Sequence, residues 1–247
     1  MKIRKQDKVE GGSSDPFISL EGVSLRYPLH AKLSENSDPT IGGRIEKGRG
    51  GRQWIAALRD VNLHIKPGDK VGITGHNGAG KSTLLQILAQ TQMPTKGHAV
   101  IKGRTARLLS PGAGMQAFAT GLENIRMRGM LQGMTDDEIE DAIPGIDEFT
   151  ELGPYLNVPI AQYSGGMRLR LSFAVATAMK PDILLIDEWM GAGDRAFQTK
   201  AQERFNNFTD HASILVLASH NEPLVNAFCN RIVLFDKGQI VEDTRLD

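Results

Sequence analysis

Nine consecutive residues, Gly75 to Thr83 (GHNGAGKST), supply what is needed to hold a chain of phosphates, namely bare backbone N–H groups and a positive charge. Gly75, Gly78 and Gly80 permit backbone angles and close approaches that a β-carbon would block. With His76, Asn77 and Ala79 between them, their successive amides can wrap anionic oxygens. Lys81 places a point charge on the β- and γ-phosphates, the hydroxyl of Ser82 is a natural protein ligand for Mg²⁺, and Thr83 completes the pattern. A helix following directly behind would aim its positive end at the same oxygens.

Two further stretches carry chemistry. ILLIDE, Ile183 to Glu188, ends a buried apolar run on two acids. Asp187 can hold the hydration shell of Mg²⁺ opposite Ser82, and Glu188, projecting differently along the pleat, can take a proton from an attacking water. Alone, the pair is no more than a strand end; beside a phosphate loop it favours hydrolysis over simple binding. YSGGMR, Tyr163 to Arg168, offers Ser164 as an N-cap, while Gly165 and Gly166 leave amides bare at a helix start. That makes a second anion site.

The elements that must position these residues follow from periodicity. Phe17 to Tyr27, Trp54 to Ile65 and Lys70 to Thr74 read as strands, with a Pro67-Gly68 turn between the last two. Leu84 to Gln90 reads as the helix behind the phosphate loop. The segment at about 28–53 is rich in Gly, Ser, Pro and charge and is expected to be an insertion. Its Arg44, Lys47, Arg49 and Arg52, set against Glu46, form either a solvated loop or a patch that meets lipid headgroups or an anionic partner. From Asp136 to Glu151 there are eight acids. They suggest an acidic helix within an inserted helical subdomain at about 115–178, or an acidic partner face.

Beyond it, Ser164 to Met179 is helical and stops at Lys180-Pro181. Ile183 to Ile186 is a strand, and Phe197, Ala201, Phe205 and Phe208 stripe a further helix as core packing. Ile214 to Ala218 and Arg231 to Phe235 continue an alternation of strands and helices that implies a largely parallel sheet.

Composition limits the rest. In 247 residues, 29 Lys and Arg balance 29 Asp and Glu, which argues against a general polyanion binder, so no nucleic-acid partner is expected. A single cysteine, Cys229, can form neither an internal disulfide nor a thiolate metal cluster and reads as apolar filler. The longest apolar runs are strand-sized, short of the ~20 residues that span a bilayer. Residues 1–16 form a polar leader without the apolar core of a secretory signal.

The order of the three motifs resembles the nucleotide-binding subunits of ABC transporters: Walker A at Gly75 to Thr83, the signature at Ser164 to Met167, and Walker B at Ile183 to Glu188. The resemblance runs from Phe17 to about Thr244 and adds a D-loop aspartate at Asp194 and a switch histidine at His220. It implies a P-loop NTPase fold with a RecA-like core sheet, an antiparallel β subdomain and a helical signature subdomain. It also implies a head-to-tail homodimer in which ATP on one subunit's Walker A is covered by the other's Ser164, Gly165, Gly166 and Met167. His220 would contact the γ-phosphate and position the water, and the adenine would stack on Tyr27 or Trp54, with Tyr27 preferred.

Departures from the common pattern narrow the likeness. YSGGM replaces LSGGQ, WMGAGDRAF follows Walker B, and LLSPGAGMQAFATGLENI stands where the Q-loop belongs, its usual glutamine falling near Ser110 and Pro111 with Gln116 displaced. These variants resemble exporters of capsular polysaccharide, O-antigen and teichoic-acid type glycans. The implied partners are an integral membrane permease and, indirectly, a lipid-linked glycan; the implied location is the cytoplasmic face of the cell membrane. The permease is expected to dock on the helical subdomain and the loop around Gly112 to Gly121. The position of Asp247 leaves the expectation that no carbohydrate-binding domain is appended. An ABC ATPase for another lipid or small solute, or a soluble non-transport ABC protein, is the alternative.

Overall fold

Hydrophobic alternation with period two builds the centre of the molecule. In the strand Ile214–Ala218, residues 214, 216 and 218 enter one apolar core while Leu215 and Leu217 enter another; in Ile183–Asp187, Ile183 and Leu185 part from Leu184 and Ile186 in the same way. A strand apolar on both faces must be covered on both, which is the condition of a parallel sheet between layers. The computed structural model describes residues 15–29, 45–47, 52–108, 114–187 and 195–246. The polar leader up to residue 14, most of the expected insertion, Ser110, Pro111, Glu188 and Asp194 lie outside the described residues.

The strands are β1 (Phe17–Leu29), β2 (Ile45–Lys47), β3 (Gln53–Ile65), β4 (Lys70–Thr74), β5 (Lys96–Lys102), β6 (Thr105–Leu108), β7 (Ile183–Asp187), β8 (Ile214–Ala218), β9 (Arg231–Asp236) and β10 (Gln239–Arg245). The helices are α1 (Lys81–Leu88), α2 (Gly121–Leu131), α3 (Asp136–Thr150), α4 (Gly165–Ala176), α5 (Arg195–His211) and α6 (Glu222–Phe228). One sheet is antiparallel, in the order β2-β3-β1-β5. The other runs β10-β9-β4-β8-β7-β6, parallel except for the hairpin strand β10. This is the two-sheet α/β architecture that the motif order implies.

Helix α1 lies between the sheets. Its Leu84, Leu85, Ile87 and Leu88 join β1, β3, β4 and one face of the parallel sheet in a single core. The helix begins at Lys81 rather than Leu84, because the phosphate loop turns directly into it; Lys81, Ser82 and Thr83 therefore occupy its first turn. On β1 the alternation Ile18, Leu20 slips to Val23, Leu25 across a bulge, at which Gly22 adopts φ 59°. The weakly apolar β5, β6 and β10 are not recognisable from sequence pattern, since β5 and β10 expose most of their side chains.

The opposite face of the parallel sheet carries α2 to α6 and the second core. The stripe Phe197, Ala201, Phe205 and Phe208 is buried there as expected, at 6 % exposure or less. Cys229 is buried against β4, where a Cβ on Gly72 would meet Val225 Cγ1 at 2.4 Å and Cys229 Sγ at 3.2 Å. Burial pushes the thiol up to about 12, so it remains protonated and inert. From α5, Arg204 donates to Thr177 Oγ1 at 2.7 Å and to the Ala174 carbonyl at 3.1 Å, closing the end of α4. Among the described residues no helix is long and apolar enough to cross a membrane.

The acidic segment is largely internal wiring. Glu138 closes a capping box with Thr135 at the start of α3 and receives both Nη atoms of Arg104, at 2.6 and 2.8 Å, from the turn between β5 and β6. Glu140 pairs with Arg126 on α2, Glu151 pairs with Lys200 on α5, and Asp147 accepts from the Gly153 amide. These ties, rather than an outside partner, account for four of the eight acids.

The Arg104 guanidinium and the Thr135 amide hold the Glu138 carboxyl down at about 2. A carboxyl with a folded-state pKa below its unfolded value of about 4.3 contributes stability that is full above that value and lost as pH falls toward 2. Glu138→Gln is therefore expected to lower the melting temperature at pH 7, with the gap from wild type closing by pH 2; thermal scans across that range test it.

Candidate nucleotide-binding site

Three neighbouring parallel strands deliver the site. In the order β4, β8, β7, their carboxyl ends carry the phosphate loop, His220 and Asp187. Ligands of open parallel sheets bind at that edge, because loops there emerge next to helix N-termini.

The loop's shape is dictated by crowding. Gly75 has φ 138°, and a Cβ there would stand 2.2 Å from the carbonyl oxygen of Phe235 on β9. Gly80 has φ 114°, and its Cβ would meet the Ala57 carbonyl of β3 at 2.9 Å. Both positions exclude a side chain, so the chain passes close under both sheets. Within the loop, Lys81 Nζ donates to the carbonyls of Gly75 at 2.6 Å and His76 at 3.1 Å. His76 is tied outward, with Nε2 2.9 Å from Asp236 and Nδ1 2.7 Å from the Asn77 carbonyl.

Above the loop lies an open cleft of about 460 Å³, lined by Tyr27, Ile55 and Ala57 from the antiparallel sheet, by residues from Asn77 to Thr83, and by Asp187. Tyr27 thus faces the same space as the phosphate loop; Trp54 does not line it. Tyr27 is 36 % exposed and its hydroxyl lies 3.5 Å from Gln86 of α1. Ser82 Oγ donates to Asp187 Oδ1 at 3.1 Å, which joins the phosphate loop to the end of β7. A hydroxyl and a carboxylate side by side are hard oxygen donors, suited to a small divalent cation that keeps most of its ligands as water and phosphate. The residues present therefore fit Mg²⁺.

His220 stands just past β8, exposed, with the Ser219 amide held on the Ile73 carbonyl of β4 at 3.2 Å. Ser164, Gly165, Gly166 and Met167 are not brought to this cleft. They open α4, where Ser164 accepts from the Met167 amide at 3.2 Å, and Ser164 and both glycines are exposed. Gln116 is likewise away from the cleft, its backbone gripped by the fully buried Asn124, whose Nδ2 also donates to the carbonyls of Ala119 and Thr120. Two residues of consequence escaped the sequence reading. Asn124, in the LENI stretch, shapes the loop before α2; Arg107, on β6, reaches Asp187 with Nη2 at 3.4 Å.

A glycine-lined loop between a parallel strand and a helix, with a carboxylate brought from a neighbouring strand, defines a P-loop nucleotide-binding protein. Comparison narrows the class. The sequence family described as "ABC transporter" matches residues 58–191. The chain is 40% identical over 232 residues to the O-antigen export system ATP-binding protein RfbE of Yersinia enterocolitica, covering 92% of this chain and 97% of that one. It is 37% identical over 225 residues to the teichoic acids export ATP-binding protein TagH of Listeria monocytogenes serotype 4b (strain F2365), covering 91% of this chain and 66% of the relative. A solved structure described as the ATP binding subunit of an ABC transporter superposes with a TM-score of 0.70 at 22% identity, over 94% of this chain and 90% of that one. The chain belongs to the ABC transporter family.

Gly75→Ala should cost on the order of 2 kcal/mol or more, because it adds both a 2.2 Å contact and an unfavourable φ. Chemical denaturation and nucleotide titration are expected to show lower stability together with lost ATP binding.

Proposed function

We propose that this chain is the ATP-hydrolysing subunit of an exporter that drives a lipid-linked glycan of the capsule, O-antigen or teichoic-acid type across the cytoplasmic membrane. It acts as a homodimer on the cytoplasmic face, together with a separate integral membrane permease. The observation that carries the reading is the separation of the two anion sites within one chain. A Cβ on Gly165 would meet nothing within 4 Å, and one on Gly166 only Ser164 Oγ at 3.9 Å. Among the described residues no contact requires glycine there, and neither residue has the positive φ that would demand it. Close approach by a second copy would account for both glycines. A second copy, placed head to tail, brings Ser164, Gly165, Gly166 and Met167 over the first copy's phosphate loop.

In that arrangement Gly75 to Thr83 bind the phosphate chain through backbone amides and Lys81, and Tyr27 stacks on the adenine. Ser82 and Asp187 would hold Mg²⁺, which supplies charge neutralisation on the β- and γ-phosphates when bound. Glu188, next after Asp187, takes the proton from the attacking water; His220, between the phosphate loop and Asp187 in strand order, orients that water at the γ-phosphate. Asp194 belongs to the seam between the copies. ATP binds the closed dimer more tightly than the open one, and its hydrolysis removes that difference, so the permease follows the cycle.

The export reading rests on the relatives, which are named as ATP-binding proteins of O-antigen and teichoic acid export. A docking surface for the permease fits the exposed apolar side chains around α2, where Phe118 is 94% exposed and Leu131 is 80% exposed.

Two variants separate these roles. Glu188→Gln is expected to retain ATP binding, to lose hydrolysis by about 10²-fold or more, and to accumulate as an ATP-bound dimer in size-exclusion chromatography; unchanged turnover rejects Glu188 as base. Gly165→Leu is expected to leave the melting temperature of the free chain undiminished while abolishing ATP-dependent dimerisation. A Gly165→Leu chain that still dimerises with ATP rejects the shared site.

A further inference from the structure

Arg107 lines a second cavity and reaches Asp187, which lines the nucleotide cleft. β6 and β7 are parallel with Arg107 opposite Leu185, so Asp187 lies two residues further along on the same face. The carboxylate is divided between two partners. Its Oδ1 accepts from Ser82 at 3.1 Å, and its Oδ2 faces Arg107 Nη2 at 3.4 Å. Both side chains are mostly sheltered, at 20% exposure for Arg107 and 26% for Asp187. On its other side Arg107 lines a cavity of about 300 Å³ with Thr91, Arg128 and Gln132. Its Nε is buried there without a partner among the described residues, as is Gln132 Oε1. An arginine held with one donor unsatisfied is a costly packing choice, so its placement calls for a compensating attraction. Among the described residues, Asp187 is the acid that it contacts.

We propose that Arg107 is a built-in counter-cation for Asp187, one that lets the triphosphate bind with little help from a divalent cation and that raises the Mg²⁺ concentration needed to occupy this carboxylate. The proposal rests on the nucleotide site proposed above. A carboxylate at the γ-phosphate end of the cleft repels a triphosphate, and a guanidinium beside it cancels that charge in a partly sheltered setting where Coulomb forces are strong. The same permanent positive charge repels a metal on Asp187 and holds Oδ2, which leaves Oδ1 and the Ser82 hydroxyl as the protein's offer to it. Arg107 acts through Asp187 and is a positioning residue.

The test is titration of the full chain with a fluorescent ATP analogue, in Mg²⁺ and in EDTA. For wild type the two Kd values are expected to agree within about tenfold. R107M should weaken binding in EDTA by about tenfold or more, leave Kd in Mg²⁺ within about threefold, and lower the half-saturating Mg²⁺ concentration accordingly. R107K, which retains the charge, should keep the wild-type ratio within about threefold. A ratio unchanged in R107M, an R107K ratio equal to that of R107M, or a wild type that loses more than about 100-fold in EDTA overturns the proposal. If R107M does not fold, the wild-type and R107K ratios decide the matter. Binding in neither condition would instead reject the nucleotide site itself.

Discussion

Concentrated negative charge is the constraint around which this molecule is arranged. A triphosphate can be held only where several N–H dipoles and a fixed cation converge without side chains in the way, and the carboxyl edge of a parallel sheet is the place where strand ends and helix starts meet. β4, β8 and β7 must be neighbours for the phosphate loop, His220 and Asp187 to share that edge. That adjacency in turn requires strands apolar on both faces, and so two cores. The antiparallel sheet presses on the loop from one side through the Ala57 carbonyl, and β9 presses through that of Phe235. Tyr27 then falls at the cleft because it sits near the end of β1, the strand that packs beside β3.

Local chemistry with one solution was legible in the sequence. The loop from Gly75 to Thr83 admits a single shape, the aliphatic runs at Ile183 and Ile214 have no reading but buried strands, and the phenylalanine stripe of α5 has one apolar face. The antiparallel strands β5 and β10 were not legible, since exposed strands owe their pairing to neighbours distant in the chain. The same reason hid Arg107, which becomes meaningful only when β6 is laid beside β7. Asn124 was hidden for another reason. A buried amide that gathers loop carbonyls leaves no periodic trace, although it organises residues 116–120.

The acidic stretch between Asp136 and Glu151 is instructive in this respect. Eight acids in sixteen positions suggest an anionic surface, yet their partners Arg104, Arg126 and Lys200 come from a turn and two other helices. Charge density in a sequence reports what a segment brings, and the fold decides how much of it remains on offer. Arg104 in particular leaves the sheet to grip α3, so the helical layer is fastened at a turn adjoining β6, the strand that carries Arg107.

The internal bonds of Lys81 have one more implication. With its ammonium resting on the carbonyls of Gly75 and His76, the loop is braced from inside and its curvature is settled during folding. An incoming nucleotide then competes with two backbone carbonyls for one ammonium. Part of the attraction between Lys81 and a phosphate therefore goes into releasing the loop's own brace.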